Sequence, residues 1–331
     1  MTTKHDLLSL LSDGNFHSGT DMGAKLGVSR AAINKAIKSL SHTGIDIHRV
    51  SGRGYRLAEP MRPLDKQAIL GFLPRLGEGY GDRLHLFDEI DSTSNFLSAL
   101  SASEFVLGVV CIAEVQSGGR GRRGRSWVST PYRNIMMSMS WQFDNGPASV
   151  AGLSLAAGVA VVKALREFGI DDIGLKWPND IIWHHRKIAG LLLDVQGEAS
   201  GPSRVVLGLG LNVSIGEKDA QNIDQSWVDM RTIIDEVVDR NRLVAMLVIK
   251  LEDMFTRFES SGLSAFEQDW QAVHVFHGQT VRLLRGNEVI VGIAEGIDGS
   301  GALKLRNASG RINFYHSGEV SLRAVECETA D

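Results

Sequence analysis

Residues 119–127 read Gly-Arg-Gly-Arg-Arg-Gly-Arg-Ser-Trp, which places four arginines and three glycines in seven consecutive positions. The stretch directly follows an apolar run, residues 106–115, that predicts a buried strand. Glycines permit mobility and a close approach of the backbone, and arginines bind anions through paired hydrogen bonds. The stretch therefore predicts a loop that holds a phosphate or an acyl phosphate at the end of a core strand.

The same residues fit two other kinds of loop. Its spacing satisfies the G-x-G-x-x-G fingerprint of dinucleotide-binding folds, but the fingerprint requires a helix directly behind the glycines. The chain continues instead as Ser-Trp-Val-Ser-Thr-Pro over residues 126–131, which contains no amphipathic period. An RNA-binding Arg-Gly segment stays an alternative, although such segments usually lie in low-complexity tails.

A second polar stretch reads Lys-Trp-Pro-Asn-Asp over residues 176–180, and Arg-Lys-Ile-Ala-Gly follows at 186–190. Pro178 predicts a turn after a short strand, and Lys187 then opens the next apolar strand beside small residues. A lysine in that place, seven residues after Asp180, predicts a charge that faces a pocket.

The first 60 residues predict a winged helix-turn-helix. Helices are expected over 4–12, 19–26 and 30–41, and a glycine-rich hairpin follows them. This segment holds eight Lys or Arg against five Asp or Glu, a formal charge of +3, which leaves −7 for the remaining residues because the whole chain carries −4. We expect contacts with DNA from the start of the third helix and the tip of the wing: Ser29, Arg30, Ala31, Asn34, Lys35 and Arg53. A helical docking module and chance variation in charge stay alternatives.

Residues beyond the prolines at 60 and 63 predict an α+β body with a largely antiparallel sheet, and from about residue 278 short strands with glycine turns predict a small SH3-like β-barrel. The expected division is a winged helix-turn-helix domain at 1–60, a linker at 61–83, a catalytic α/β domain at 84–274 and the barrel domain at 275–331.

Composition places the chain among folded globular proteins, with 43% hydrophobic and 22% charged residues. Cys111 and Cys327 predict no disulfide framework, and His184, His185, His274 and His277 have no partner at metal-ligand spacing. The apolar run at 148–162 is shorter than the ~20 residues that span a bilayer, and the amino terminus is too short and acidic for a signal peptide. A cytoplasmic protein with no metal site and no membrane contact is expected.

Four motifs together resemble those of the biotin–protein ligases: GRGRRGRSW at 119–127, KWPND at 176–180, RKIAG at 186–190 and GLGLN at 208–212. With SRAAINK at 29–35 and GRGYRL at 52–57, the chain is similar to the bifunctional class of that family, which also represses the biotin operon. The resemblance implies a catalytic domain of the class II aminoacyl-tRNA-synthetase type. It implies that ATP, with Mg²⁺, activates biotin to biotinyl-5′-AMP, and that a lysine of the biotin carboxyl carrier protein then takes the biotinyl group. It also implies that biotinyl-AMP is the corepressor for binding to operator DNA by a ligand-promoted homodimer.

The resemblance implies roles for individual residues. Lys187, Arg122 and Asp180 would be catalytic, with Lys187 bridging the biotin carboxylate and the phosphate, and Asp180 orienting or deprotonating the acceptor lysine. Trp127 would stack on adenine, Asn212 would bond to it, and Arg323 would support the site from the barrel. The family usually has Asn where Ser94 stands, with Asn95 next here. Biotin and the nucleotide would be held by Ser92, Thr93, Ser94, Gln116, Arg120, Gly121, Arg122, Arg123, Trp127, Lys187, Gly190 and Asn212.

Three rival functions are distinguished by the same features. A ligase for lipoate or octanoate would share the lysine but should lack GRGRRGR and the winged head. A repressor that only senses a ligand would need no arginine cage for a phosphate. An RNA-binding protein that uses the Arg-Gly loop would not explain Lys187 or the C-terminal barrel.

Overall fold

The computed structural model describes residues 3–73, 77–101, 104–105, 107–317 and 320–324. The side chain of Arg323 and the whole of Cys327, both of which the sequence analysis names, lie outside the described parts.

The amino-terminal domain is a three-helix unit with a two-stranded wing, as the sequence predicts. It consists of α1 (Thr3–Leu11), α2 (Gly19–Leu26), α3 (Arg30–His42), β1 (Ile47–Val50) and β2 (Gly54–Leu57). Ser18 and Ser29 cap α2 and α3, because their hydroxyls accept hydrogen bonds from backbone N–H groups of the first turn. Ile33, Ile37 and Leu40 on α3 are buried against α1 and the wing, so the apolar spacing sets the face that packs.

The segment expected to be a linker, residues 61–83, is largely part of the central body. It contains α4 (Lys66–Gly71) and α5 (Gly77–Arg83). Leu64, Ile69, Leu73 and Tyr80 are fully buried in the core of the central domain. The prolines mark the exit from the wing, but the apolar residues after them bury their side chains and fold onto the sheet.

The central domain is built on one sheet of seven strands. The strands are β3 (Leu84–Ile90), β4 (Val110–Gln116), β5 (Ile135–Phe143), β6 (Ile173–Lys176), β7 (Asp180–Trp183), β8 (Arg186–Gly197) and β9 (Ser203–Leu211). Their order is β3-β4-β5-β9-β8-β7-β6, and only the pair β3–β4 is parallel. The predicted antiparallel sheet is confirmed. β4 begins at Val110 rather than at residue 106, after a turn in which Gly108 has a φ of +73°.

Helices lie on both faces of this sheet. They are α6 (Thr93–Ser98), α7 (Leu153–Glu167), α8 (Glu217–Ala220), α9 (Met230–Ile234), α10 (Arg240–Ser261) and α11 (Glu267–Val273). α10 packs on one face, where Phe255 stacks on Trp141 of β5, and α6 packs on the other, where Ser94 lies beside Ser138 of β5. α7 begins at Leu153 rather than at Ser149, because Gly152 takes a left-handed φ of +79° after a 3₁₀ turn. The stretch Pro147–Glu167 has the length and apolarity of a membrane-crossing helix, but about two thirds of its most apolar window is buried inside the protein.

The carboxy-terminal domain is a five-stranded antiparallel sheet. Its strands are β10 (Thr280–Arg285), β11 (Glu288–Ile297), β12 (Leu303–Arg306), β13 (Ile312–Tyr315) and β14 (Val320–Ala324), in the order β13-β12-β11-β10-β14. Val281, Leu283 and Leu305 share one continuous core with the central domain. Trp177 also donates from Nε1 to the carbonyl of Gly301 at 3.1 Å, which joins the two domains beside the KWPND turn.

Candidate active site

One cavity of about 390 Å³ lies over the ends of β4, β5, β8 and β9. All thirteen residues expected to bind substrate or to act in catalysis line it: Ser92, Thr93, Ser94, Gln116, Arg120, Gly121, Arg122, Arg123, Trp127, Asp180, Lys187, Gly190 and Asn212. Residues that are more than 100 positions apart in the sequence therefore meet in one place. A pocket of this size, largely preformed and with converging polar groups, is typical of a small-molecule site.

Hydroxyl groups form one polar end of the cavity. The Oγ1 atom of Thr93 lies 2.7 Å from Oγ of Ser138, and Oγ of Ser94 lies 2.9 Å from the same atom. Gln116 belongs to the same hydrogen-bonded group, because its Oε1 accepts hydrogen bonds from both the backbone N–H and the hydroxyl of Thr93. Ser138 is a site residue that the sequence analysis missed, and its only signal was a serine within the apolar strand β5.

The structure resolves the departure at Ser94 from the family pattern. Ser92 caps α6 with its hydroxyl, so Thr93 and Ser94 lie in the first turn of the helix and face the cavity. Asn95 is exposed, and its Nδ2 donates to Oδ2 of Asp91 at 2.7 Å. Ser94 therefore occupies the position that faces the cavity, and the side chain of Asn95 bonds to Asp91 instead.

The Arg-Gly loop is closed on itself by its own backbone. The N–H of Trp127 donates to the carbonyl of Gly119 at 2.9 Å, and the N–H of Gly121 donates to that of Arg125 at 2.7 Å. Arg123 and Gly124 take φ values of +60° and +70° at the tip, which is the left-handed region that glycine favours. All four arginines of this loop, Arg120, Arg122, Arg123 and Arg125, line the cavity.

Two arginines of this loop are tied to other elements. Arg120 forms an ion pair with Asp194 on β8. Arg122 donates from Nη1 to Oδ1 of Asn179 at 3.1 Å and also contacts the carbonyl of Ser317 in the carboxy-terminal domain. Burial, followed by the neighbouring charge of Arg123, lowers the pKa of Arg122 from its usual range. A partly desolvated cation such as Arg122 interacts strongly with an anion that enters the cavity.

Lys187 and Asp180 form an ion pair at the centre of the cavity. Nζ of Lys187 lies 2.7 Å from Oδ1 of Asp180, and both side chains are less than one fifth exposed. The β7–β8 hairpin creates this approach, with His184 and His185 in left-handed conformations at its turn. The same ammonium lies 5.4 Å from the ring centroid of Trp127, so the cation contacts a carboxylate and an aromatic face at once.

Glycines in the apolar strands make room for these side chains. A Cβ atom on Gly210 would overlap the ring of Trp127, and one on Gly190 would lie 3.1 Å from Nζ of Lys187. The Nε1 atom of Trp127 is buried, and among the described residues it has no hydrogen-bond partner. An unsatisfied buried donor that lines a cavity is suited to a ligand with an acceptor. The Nδ2 group of Asn212 donates hydrogen bonds to the backbone carbonyls of Val228 and Lys187.

The residues expected to contact DNA belong to the start of α3 and to the tip of the wing. Arg30, Ala31, Lys35 and Arg53 are exposed there, while the hydroxyl of Ser29 is used as a helix cap. Asn34 is half-buried, and its Oδ1 accepts a hydrogen bond from the hydroxyl of Tyr55 in the wing. This bond joins the third helix to the wing, and because an amide oxygen can accept a second hydrogen bond, the expected contact of Asn34 with DNA stays a prediction.

Cys111 and His274, which the sequence analysis also names, are both buried in the protein. Cys111 is buried, which raises the pKa of its thiol to about 12. His274 stacks on Trp270 with ring centroids 4.4 Å apart. Over the described residues, no group of three or more His, Cys, Asp or Glu side chains is arranged to hold a metal ion.

Comparison with known proteins agrees with this division of the chain. Residues 86–212 match the model of the biotin/lipoate A/B protein ligase family, residues 276–323 match the biotin protein ligase C-terminal domain, and residues 3–56 match an HTH domain. The bifunctional ligase/repressor BirA of Escherichia coli is 39% identical over 320 residues, which cover 97% of each chain. The chain belongs to the biotin protein ligase family.

Other family members show the same relationship. The biotin–[acetyl-CoA-carboxylase] ligase of Mycobacterium tuberculosis is 34% identical and covers 78% of this chain and 95% of its own. The crystal structure of the Aquifex aeolicus biotin protein ligase in complex with biotin and ATP superposes with a TM-score of 0.62 at 25% identity, over 73% of this chain and 99% of that one. The expected fold class, with a helix-turn-helix head, a central ligase domain and a carboxy-terminal β domain, is confirmed.

Proposed function

We propose that the chain activates biotin with ATP, transfers the biotinyl group to a lysine of a biotin carboxyl carrier protein, and represses transcription when its biotinyl-AMP is not consumed. The observation that carries the catalytic part is the convergence of Lys187, Arg122 and the hydroxyl-lined end in one cavity. This convergence supports a site in which the hydroxyl groups bind the polar ring system of a carboxylic acid such as biotin. The fixed cations then surround the carboxylate of that acid.

In the first step, an oxygen of the biotin carboxylate attacks the α-phosphorus of ATP. The new P–O bond forms as the bond to the bridging oxygen of pyrophosphate breaks, and biotinyl-5′-AMP and pyrophosphate result. Negative charge builds on the phosphoryl oxygens, so positioned cations stabilise this step. Arg120, Arg122 and Arg123 supply guanidinium groups to the lining of the cavity, and Lys187 supplies an ammonium.

Recognition of biotin would fall to the hydroxyl-lined end. Ser94, Thr93 and Ser138 form a connected set of hydroxyls that can donate to or accept from a ureido group. Trp127, held against Gly210, offers an aromatic face for adenine and leaves Nε1 for an acceptor on the ligand. Gly121 and Gly190 keep the walls close enough for the backbone to contact the substrate.

In the second step, the neutral amine of an acceptor lysine attacks the acyl carbon of biotinyl-AMP, an amide bond forms and AMP leaves. Asp180 has two possible uses in this step, orienting the incoming amine and holding Lys187 in place. Its bond to Lys187 supports the second use directly. Mg²⁺ would enter with the ATP phosphates, since the described residues provide no cage of their own.

The proposal that the chain is a repressor rests on the amino-terminal helix-turn-helix domain and on the outer edge of strand β8. β8 pairs with β7 only through residues 186–190, and beyond Leu191 its outer edge carries no strand among the described residues. Such an edge is a template for pairing with a second copy. Arg120 forms an ion pair with Asp194 on this strand. A nucleotide that binds Arg120 would therefore alter the outer edge of β8. This arrangement supports the proposal of a ligand-promoted homodimer that places two heads on operator DNA, and we place the protein in the cytoplasm with its DNA and carrier protein.

Two experiments test the two parts. Incubation with radiolabelled biotin, ATP and Mg²⁺ should yield biotinyl-AMP, and addition of a biotin-acceptor domain should move the label to protein; absence of the adenylate contradicts the ligase. For the repressor, selection from a library of randomised duplexes should enrich one sequence with two half-sites when biotin and ATP are present. Enrichment of no sequence under those conditions contradicts the repressor and leaves the ligase intact.

A further inference from the structure

The aromatic ring of Phe16, in the segment between α1 and α2, is contacted by two arginines of the wing. The guanidinium carbon of Arg53 lies 4.4 Å from the centroid of this ring, and that of Arg56 lies 4.9 Å from it. Both distances are within the range of a cation–π contact. The two cations therefore share one aromatic support, and they cannot be farther apart than the sum of these two distances.

The backbone of the segment before α2 pairs with the wing and fixes this arrangement. The N–H of His17 donates to the carbonyl of Tyr55 at 2.9 Å, and the N–H of Tyr55 donates to the carbonyl of His17 at 2.8 Å. These bonds form an antiparallel bridge, so Phe16 and Arg56, which flank the bonded residues, lie side by side. Gly54 allows the approach, because a Cβ atom there would overlap the carbonyl of His17.

In the part of the chain that the structure describes, the guanidinium groups of Arg53 and Arg56 take part in no ion pair and in no hydrogen bond. The Nε atom of Arg56 is buried, and among those same residues it has no partner. Asp13, three residues before Phe16, is bound to His17 instead, at 2.9 Å. Two like charges on one ring repel each other, and an anion that binds both removes this repulsion. The pair of arginines is therefore suited to an external anion.

The same part of the wing is joined to the third helix of the head. Tyr55, next to Arg56, donates from its hydroxyl to Oδ1 of Asn34 on α3. The two arginines are therefore held at a fixed place beside the helix that would enter the major groove. Contacts with phosphates from such a place set the position of a reading helix on the duplex but carry no sequence information.

We propose that Arg53 and Arg56, supported by the ring of Phe16, form a clamp for one phosphate of the DNA backbone. Guanidinium groups suit this ligand, because their paired N–H donors match the oxygens of a phosphodiester. Phe16 is a positioning residue, since it contacts the two arginines rather than the phosphate. The inference rests on the proposed binding of DNA and deepens it. It assigns Arg53 to the backbone rather than to base edges, and it adds Arg56, which the sequence analysis did not name as a DNA contact.

The test compares Arg56→Gln with Arg62→Gln in the full chain. Arg62 is an exposed arginine beyond the wing and outside the matched HTH domain, so its variant makes the same change of charge without touching the clamp. The probe is a duplex of random sequence, and its association constant is measured over a series of salt concentrations. The logarithm of this constant falls linearly with the logarithm of the salt concentration, and each phosphate contact contributes about 1 to the slope.

We expect the slope to become shallower by about 1 in Arg56→Gln and in Arg53→Gln, with binding about tenfold weaker at ~100 mM salt. The slope should be unchanged in Arg62→Gln. Phe16→Leu keeps an apolar side chain but removes the aromatic face, so its slope should become shallower as well. Phe16→Tyr keeps the ring and should retain the wild-type slope, which a merely apolar role of Phe16 in the fold does not require.

The measurement with a random duplex is separate from the test of the repressor, which is the enrichment of one sequence. Equal slopes in the wild type and Arg56→Gln, or no binding of the random duplex by the wild type at low salt, overturn the clamp. A loss in Arg53→Gln that is confined to the enriched duplex also overturns it, because that pattern marks a base contact. Failure to enrich any sequence, together with a shallower slope in Arg56→Gln, contradicts the repressor and supports the clamp.

Discussion

The ammonium of Lys187 lies 2.7 Å from a carboxylate oxygen of Asp180 and 5.4 Å from the centroid of the Trp127 ring. Asp180 and Trp127 thus both lie beside the ammonium of Lys187, although the three residues are up to 60 positions apart in the sequence. The ammonium is held by an anion and an aromatic face before a substrate arrives, so its position does not depend on the substrate. Little side-chain entropy is then lost when a carboxylate or a phosphate binds beside it.

Asp180→Asn tests which of the two reaction steps, adenylate formation or transfer to the acceptor lysine, depends on Asp180. The amide keeps the size of the side chain but removes the charge that holds Lys187. If Asp180 only positions Lys187, formation of the adenylate should slow by about 10²-fold while transfer from preformed biotinyl-AMP is little changed. Unchanged transfer would contradict the role of Asp180 in orienting or deprotonating the acceptor lysine, and unchanged adenylate formation would contradict the positioning role. Single-turnover measurements with purified biotinyl-AMP separate the two.

Gly210→Ala tests whether Trp127 forms the adenine side of the cavity. A Cβ atom at this position would overlap the indole ring, so the ring must move. We expect ATP binding, measured calorimetrically in the presence of biotin, to weaken by about tenfold or more. Gly81→Ala is the matched control, because a Cβ atom there meets no atom within 4 Å. Equal ATP affinity in both variants would mean that Trp127 is not a nucleotide contact.

The buried ion pair between Arg240 on α10 and Glu114 on β4 tests what holds the segment after the wing to the central domain. Nη1 of Arg240 lies 2.6 Å from Oε2 of Glu114, and the two side chains are 5% and 1% exposed. Removal of one partner leaves an uncompensated buried charge, so Arg240→Met should lower the free energy of unfolding by about 3–5 kcal/mol. The double variant with Glu114→Leu should lose less than the sum of the two single losses. Urea denaturation measures this, and additive losses would contradict the pairing.

His274 predicts a dependence of stability on pH. Burial, and then the charge of His277, lowers the pKa of His274 from 6.5 to about 4 in the folded protein. The unfolded chain therefore binds more protons between these values, and stability falls as the pH drops through that window by up to about 3 kcal/mol. His274→Phe keeps a ring against Trp270 and should flatten the profile between pH 6.5 and 4. An unchanged slope in urea denaturation would show that another group titrates.

The parts of the fold that local patterns encode were predictable. Caps at Ser18 and Ser29 and the apolar period of α3 define the head, because hydrogen bonds and burial within a few residues decide them. The division into three domains followed from motifs and turn residues. The depth to which 61–83 enters the central core was not visible, since it depends on packing against the distant helix α10.

The site was predictable where a motif carried it and not where it depended on strand register. Ser138 faces Ser94 only because β5 pairs with β4 and β9 in one register, and a shift by one residue would turn it away. The bond between Tyr55 and Asn34 joins the third helix to the wing, and no local pattern in the sequence predicts it. Glu59 forms an ion pair with Arg231, which is 172 positions away, and single exposed charges give no signal of such a pairing.

Pyrophosphate release tests the central claim most directly. The wild type, Lys187→Ala and the control Lys163→Ala are compared with ATP and a panel of biotin, lipoate, octanoate and amino acids. Lys163→Ala removes an exposed lysine that is likewise paired with an aspartate, at 2.6 Å from Asp269. The account predicts a burst of pyrophosphate with biotin alone, kept in Lys163→Ala and lost in Lys187→Ala. Release with none of the acids, or a burst that survives in Lys187→Ala, would contradict it.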